Sequence, residues 1–299
     1  MKKWIMSFAM LALFVTPSFA QVKLTDNLSV TGFFDMSTTY DSGSKSNGLA
    51  FDQFEIDFLY DYGMGFTAQA DFNSLGGGSV DLEQAFVTYT APNGFSLTGG
   101  KFLSCSGWET AEPTGLYQYS YSATLVYGGY QNGVAASFGN DKVAFYGAVV
   151  TSVWDGTETS LDDLGFEAQI SLMPAEGVTA KIAYLWEDMG AFNQSLFNAW
   201  GMYAKGPVTL AAEYNHLLDW GVKGNNGYGW ILMGNMGLSE KVGATVRYSG
   251  LDTDSTTKFT EITFSPSYTV TPNVGMLAEI RRNIDADITT FAIETIFSF

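Results

Sequence analysis

The stretch FEIDFLYDY at residues 54–62 decides the fold. Every second residue in it is large and apolar, and most of the residues between them are acidic. Side chains alternate between the two faces of a β-strand, whereas an amphipathic helix needs apolar spacing near 3.6 residues. The stretch therefore predicts a strand with one apolar face and one polar face.

The same alternation recurs along the chain, at residues 65–73, 166–172 and 208–214. Each run is about ten residues long, which is the length of a tilted strand that crosses a bilayer. The links between runs form two classes. Short links rich in Gly, Pro, Asn and Asp lie at 62–65, 91–94, 139–142, 174–177, 205–207, 239–241 and 271–273. Longer links alternate with them at 41–50, 74–79, 104–130, 155–163, 188–197, 219–227, 252–257 and 284–287.

Short turns at one end and longer loops at the other are typical of a membrane barrel. We predict an all-β fold, a transmembrane antiparallel up-and-down β-barrel over residues 21–299. It should have about 16 strands, short periplasmic turns and longer extracellular loops. A barrel of that size is wide enough to enclose an aqueous channel.

Residues 1–20 have the three parts of a signal peptide. Lys2 and Lys3 provide the positive start, residues 4–15 form a short apolar core, and small residues lead to Ala20. This order predicts export and cleavage after Ala20. Together with the barrel pattern it predicts the bacterial outer membrane as the location.

The last strand carries aromatic and aliphatic residues on one face and ends at Phe299. Phe291, Ile293 and Phe297 share that face with it. This ending resembles the terminal signature of bacterial outer-membrane barrels, which the barrel assembly machinery recognises. The resemblance implies that Phe299 is an assembly signal.

Composition excludes several classes of function. Acidic residues outnumber basic ones by 31 to 14, for a formal net charge of −17, which argues against nucleic-acid binding. With one Cys and one His, a disulfide framework and multi-histidine or cysteine metal sites are excluded. A membrane hydrolase would depend on His216, and no G-x-S-x-G elbow accompanies it. We expect no catalytic residue, no cofactor and no metal.

A family resemblance is carried by VDLEQAFVTY at 80–89, PNG at 92–94, GKF at 100–102 and GWE at 107–109. The chain resembles the putative beta-barrel porin-2 (OmpL-like) family of Gram-negative outer-membrane proteins. The family commonly has Tyr where this chain has Trp108, and often a His-Thr-Gly-like turn where it has QNG at 131–133. The likeness is sharp over residues 80–140 and implies a porin-like barrel without a catalytic residue.

The longest link, residues 104–130, is the third long loop in chain order and contains Trp108, Glu109 and Glu112. In the general porins, which this architecture resembles, the third loop folds inward and narrows the pore. An inward loop would select solutes by charge and by contact of aromatic rings with sugars. The alternative is a surface loop on the barrel rim. We expect Glu109 and Glu112 to have no basic residue nearby.

Strand phase predicts which charged residues face the lumen, because a charge facing lipid is costly. The predicted lumen acids are Asp35, Glu55, Asp57, Asp71, Glu167, Glu213 and Glu279. The predicted lumen bases are Lys181, Arg247 and Arg281. These acids either favour cations in a water-filled pore or pair with bases and with one another across neighbouring strands.

The sequence favours a porin for passive diffusion of small hydrophilic solutes or ions, with a preference for cations. The alternative is a plugged structural or adhesive barrel whose loops bind partners. Expected partners are outer-membrane lipids, lipopolysaccharide and the barrel assembly machinery, and the chain is a candidate homo-oligomer.

Overall fold

A single antiparallel sheet closes on itself in the computed structural model, which describes residues 21–122, 126–255 and 258–299. Sixteen long strands form the barrel in these ranges, and one short strand is added near the N-terminus. The predicted all-β antiparallel barrel is confirmed. The expected signal peptide, residues 1–20, lies outside the described residues.

The strand bounds follow the alternating segments of the sequence. They are β1 Val22–Lys23, β2 Leu28–Asp41, β3 Ser46–Gly63, β4 Phe66–Leu75, β5 Asp81–Thr90, β6 Phe95–Leu103, β7 Tyr130–Gly139, β8 Val143–Val150, β9 Gly165–Ala175, β10 Val178–Asp188, β11 Asn193–Lys205, β12 Val208–Leu218, β13 Gly227–Gly237, β14 Val242–Thr253, β15 Lys258–Thr271, β16 Val274–Asn283 and β17 Ile288–Ser298.

Each strand from β2 to β17 pairs with its neighbours in chain order, and β17 pairs with β2 to close the barrel. At this seam the backbones of Phe299 and Gly32 exchange two hydrogen bonds of 3.0 and 3.1 Å. The rings of Phe34 and Phe297 pack with centroids 5.2 Å apart. Closure pairs each strand from β2 to β17 on both sides, as a lipid environment requires.

The links confirm the two predicted classes in the described part of the chain. Short turns join β3 to β4, β5 to β6 and every second pair thereafter, while the longer loops lie at the opposite end. The first loop was predicted too long, at 41–50. β3 already begins at Ser46, because Leu49 and Phe51 extend its apolar outer face. The third loop spans residues 104–129, since Tyr130 begins β7.

Exposure alternates along the strands as the sequence predicts. On β13, Ile231 is 0% exposed and points into the barrel, whereas its neighbour Leu232 is 54% exposed on the outer face. Apolar residues form a continuous outer surface, the solution expected when the outer solvent is hydrocarbon. The helical content of the described residues includes one short turn, Pro113–Gly115, and no helix there has the length and apolar character to span a bilayer.

The outward face of β13 offers a test of the facing. Leu232→Arg places a cation against lipid near the middle of the strand and should weaken the folded barrel by about 2–4 kcal/mol. Asn235→Arg, on the inner face of the same strand, should fold normally. Heat-modifiable migration after refolding into detergent or lipid measures both. Equal damage by the two substitutions would contradict the assigned facing.

Candidate functional site

The third loop lies inside the barrel. Its main-chain N–H groups donate hydrogen bonds to Glu167 on β9, Asn198 on β11, Glu213 on β12 and Glu279 on β16. These strands lie between β9 and β16, and beyond β17 Ser37 on β2 donates to the hydroxyl of Tyr119 in the loop, at 3.1 Å. The loop is therefore attached to the inner wall from β9 round to β2.

The predicted lumen acids Glu167, Glu213 and Glu279 are buried and accept loop N–H groups. Cys105 N lies 3.2 Å from Glu167 Oε2, and Ser120 N lies 3.0 Å from Glu279 Oε2. A loop away from any sheet needs acceptors for its buried N–H groups, and a carboxylate provides a charge-assisted one. These three acids therefore attach the loop to the wall.

The loop bends sharply at Gly107 to reach these acceptors. Gly107 has a φ of +91°, and a Cβ atom there would lie 2.6 Å from the Tyr127 ring. Its neighbour Trp108 is buried and stacks on Tyr117, with ring centroids 6.2 Å apart and planes 6° from parallel. Trp108 also packs against Trp200 of β11. The expectation that Trp108 presents its ring to solutes is wrong, because the ring is packed between the loop and the wall.

An ion pair joins the middle of the loop to β14. Arg247 Nη1 lies 2.6 Å from Glu109 Oε1, and both side chains are at most 1% exposed. Arg247 also donates to the carbonyl of Ser120 at 2.7 Å. The second carboxylate oxygen of Glu109 accepts the main-chain N–H of Ser122 at 2.7 Å. The expectation that Glu109 has no basic residue nearby is therefore wrong.

Glu112, three residues along the loop, has a different environment. It approaches Glu55 of β3 and Glu83 of β5, with one carboxylate oxygen of each residue within 4.8 Å of the others. The hydroxyl of Tyr130 donates to Glu112 Oε1 at 3.0 Å. Burial raises the pKa of the Glu112 carboxyl above its ordinary value.

Facing Glu112 is a group of four carboxylates that we term the acidic wall, formed by Glu55, Asp57, Asp71 and Glu83. Asp57 on β3 and Asp71 on β4 are directly opposite each other in the ladder. Among the described residues, no Lys or Arg forms an ion pair with this wall or with Glu112. The negative charge of this region is therefore without a basic partner in the described ranges.

Two acids reach the lumen through β-bulges that the alternation does not predict. Between β2 and β3, Asp35 pairs with Gln53 and Met36 pairs with Phe51, so that Asp52 of β3 is the extra residue. On β5, the extra residue is Glu83. A bulge puts two consecutive residues on the same face, and in both strands the sequence shows it only as adjacent polar residues.

A cavity of about 600 Å³ beside the third loop is lined by Asp35, Asp52, Glu261, Arg281 and Glu294. Arg281 Nε lies 3.8 Å from Glu261 Oε1. Asp35 and Arg281 were predicted to face the lumen, whereas Asp52, Glu261 and Glu294 were not.

The remaining predicted base, Lys181 on β10, is on the other side of the third loop. Its Nζ lies 5.3 Å from the centre of the Trp200 ring, an attractive cation–π geometry. Arg247 and Arg281 are on β14 and β16. The predicted lumen bases are thus on β10–β16, whereas the acidic wall is on β3–β5. His216 is exposed on the outer face of β12.

Removal of one member of the buried ion pair tests the attachment of the loop. Arg247→Met leaves Glu109 buried without its cation and should cost about 3–5 kcal/mol of stability. The double substitution Glu109→Gln with Arg247→Met should cost less, because no unpaired charge remains. Thermal unfolding in detergent measures both losses. The single variant Glu109→Gln is measured in the same way. A loss of stability in the double variant equal to the sum of the losses in the two single variants would show that the pair is not coupled.

Comparison with solved structures finds barrels of the same architecture. OmpF of Salmonella typhi, in complex with daunomycin, superposes with a TM-score of 0.74 at 11% identity, covering 93% of this chain and 100% of that one. The anion-selective porin of Comamonas acidovorans gives 0.67 at 11% identity, covering 91% and 99%. The in-vitro folded trimer form of OmpT, an outer-membrane protein of Vibrio cholerae, gives 0.66 at 11% identity, covering 91% and 99%. These likenesses show a shared fold.

A search of curated proteins gives no match. A protein-family profile matches residues 31–298, which is nearly the whole barrel. The resemblance first seen at residues 80–140 therefore extends over the chain, and the chain belongs to the family described as putative beta-barrel porin-2, OmpL-like.

Proposed function

We propose that this outer-membrane barrel is a passive porin for small hydrophilic solutes and that its lumen prefers cations. One observation carries the preference: the acidic wall and Glu112 form a cluster of carboxylates beside the third loop, and no Lys or Arg of the described ranges forms an ion pair with it. Carboxylates that line a constriction attract cations and repel anions. Field lines concentrate in such a narrow, low-dielectric space, so bulk salt screens these charges less than surface charges.

Separate cavities lie on the two sides of the acidic wall. A cavity of about 380 Å³ towards the short-turn end is lined by Thr67, Gln69, Thr88 and Thr98 together with apolar residues such as Leu59 and Phe86. The cavity of about 600 Å³ lies beside Asp35 and Tyr119. Water and ions in both cavities would approach the wall from opposite ends. This arrangement supports diffusion through the barrel, and it assigns no residue a catalytic role.

A plugged barrel is the second candidate, and the buried ion pair of Arg247 with Glu109 favours it. A loop fixed to four strands by hydrogen bonds and one buried ion pair fills the β9–β16 side of the lumen. Planar-bilayer recordings separate the two candidates, because a plugged barrel gives no conductance steps. Steps of reproducible size support the porin.

The proposal extends to location and partners. The mature chain begins at Gln21 after cleavage, contacts outer-membrane lipids and lipopolysaccharide, and is inserted by the barrel assembly machinery through its terminal Phe299. OmpT of Vibrio cholerae has a trimer form, and we infer a homo-oligomer here as well. Cross-linking in intact outer membranes tests this assembly, and recovery of monomers alone would contradict it.

Glu112 offers the sharpest test of the charge preference. Glu112→Gln removes a negative charge from the carboxylate cluster beside the third loop and should lower the ratio of cation to anion permeability. Glu176→Gln, in an exposed turn at the short-turn end, is the matched control and should leave the ratio unchanged. Reversal potentials under a KCl gradient measure both. A wild-type channel that prefers anions would contradict the charge argument and leave the barrel intact.

The same side chain predicts a pH dependence. Because burial raises the pKa of Glu112, it loses its charge on acidification at a higher pH than an ordinary carboxyl. Glu55, Glu83 and Tyr130 surround it. Cation preference should therefore rise with pH through a range above the usual titration of Glu. In Glu112→Gln the pH profile of the reversal potential should be flatter, and an unchanged profile would assign the titration to other carboxyls.

A further inference from the structure

Five carboxylates meet where the third loop touches the acidic wall. Glu55, Asp57 and Asp71 form one set, and Glu55, Glu83 and Glu112 form a second. Within each set, one carboxylate oxygen of every residue lies within 4.8 Å of those of the others. Glu55 belongs to both sets, so the two sets adjoin at Glu55 in the lumen.

Three of these carboxylates have a buried oxygen without a hydrogen-bond donor. Asp71 is 1% exposed, and its Oδ2 accepts the side-chain amides of Gln69 and Gln84, while its Oδ1 has no partner. Asp57 Oδ1 and Glu83 Oε2 are likewise buried without a donor. A buried acceptor without a donor costs free energy, and a cation bound between these oxygens would remove that cost.

Donors outside the group fix the orientation of four of the five carboxylates. Gln53 Nε2 donates to Glu55 at 3.0 Å, Gln69 Nε2 to Asp71 at 2.7 Å and Asn73 Nδ2 to Glu83 at 2.6 Å. The hydroxyl of Tyr130 donates to Glu112 Oε1. Hydrogen bonds to ligating carboxylates from residues that do not themselves bind the metal are typical of metal sites, where they orient the ligands.

The chemistry of the donors selects the ion. All five ligands are carboxylates, and neither imidazole nor thiolate is among them. Hard divalent cations prefer oxygen ligands, and Ca²⁺ accepts six to eight of them in flexible geometry. Mg²⁺ requires a more regular octahedron and retains its waters. A site contributed by three strands and a loop suits the larger ion.

We propose that Glu55, Asp57, Asp71, Glu83 and Glu112 form a binding site for a divalent cation of the Ca²⁺ type, which ties the third loop to the acidic wall. Three ligands come from β3 and β4, where Glu55 and Asp57 are two residues apart on the inner face and Asp71 is opposite Asp57; one comes from the bulge of β5 and one from the loop. The ion would supply the positive charge that this region lacks. The proposal concerns binding, and it holds whether or not the barrel conducts.

The test uses the full mature chain refolded into detergent without lipopolysaccharide, so that no lipid phosphate competes for cations. After treatment with EDTA, Tb³⁺ serves as the probe, excited through the protein's aromatic residues. Tyr130 contacts Glu112 and is close enough to sensitise a bound ion. We expect saturable Tb³⁺ luminescence that Ca²⁺ displaces. Folded wild-type protein without a Ca²⁺-displaceable signal would overturn the proposal.

Matched variants locate the site. Asp71→Asn and Glu83→Gln should each weaken Ca²⁺ competition at least tenfold. Glu294→Gln, a buried lumen acid outside the two sets, should leave it unchanged. Heat-modifiable migration verifies that each variant is folded, and two variants are used so that misfolding of one does not end the test. Equal affinity in all three variants and wild type would overturn the assignment.

A second measurement follows the role of the loop. Ca²⁺ should raise the unfolding temperature of wild-type protein above that in EDTA, and Glu112→Gln should reduce this shift because it removes the ligand contributed by the loop. An unchanged shift would mean that the ion does not tie the loop to the wall. Ca²⁺ binding without conductance steps would reject the porin function and retain the cation site. Conductance steps without Ca²⁺ binding would reject the cation site and retain the porin function.

Discussion

The structure depends on the need of every main-chain N–H and C=O group for a partner where water is absent. In a bilayer this need is met by a closed barrel, because an open sheet would leave an unpaired edge in hydrocarbon. The pairing of β17 with β2 meets it here, and the Phe299 backbone continues the ladder to Gly32. Alternating exposure follows from closure, since each strand then has one face towards lipid and one towards the lumen.

The same need for hydrogen-bond partners determines how the third loop is held inside the barrel. The third loop leaves the sheet between β6 and β7 and has no ladder to supply acceptors for its N–H groups. Side chains of the wall replace that ladder: Glu167, Glu213 and Glu279 accept loop N–H groups, and Arg247 satisfies the carbonyl of Ser120. Two groups of wall acids therefore differ in role. Those on β9–β16 accept N–H groups of the loop, while those on β3–β5 lie close to its Glu112 carboxylate.

Local patterns in the sequence were sufficient to predict the barrel and some of the residues that face its lumen. A period of two residues is a property of each strand alone, so Glu55 and Asp57 could be assigned to the inner face without any knowledge of the fold. The pair of Glu109 and Arg247 could not, because 138 positions separate the partners and only the path of the loop brings them together. Glu83 and Asp52 were missed because a bulge interrupts the alternation on which the assignment relied.

The bulges also determine how the lumen could change in evolution. On β3 the outward residues Leu49 and Phe51 have odd numbers, while Phe54, Ile56 and Phe58 beyond the bulge have even numbers. Loss of the single codon for Asp52 would restore strict alternation across the junction, because every remaining side chain would keep its face. The lumen would lose one negative charge, and the outer surface would be unaltered. Insertions and deletions usually reverse the facing of a strand, but at these positions they would adjust the charge of the passage in single steps.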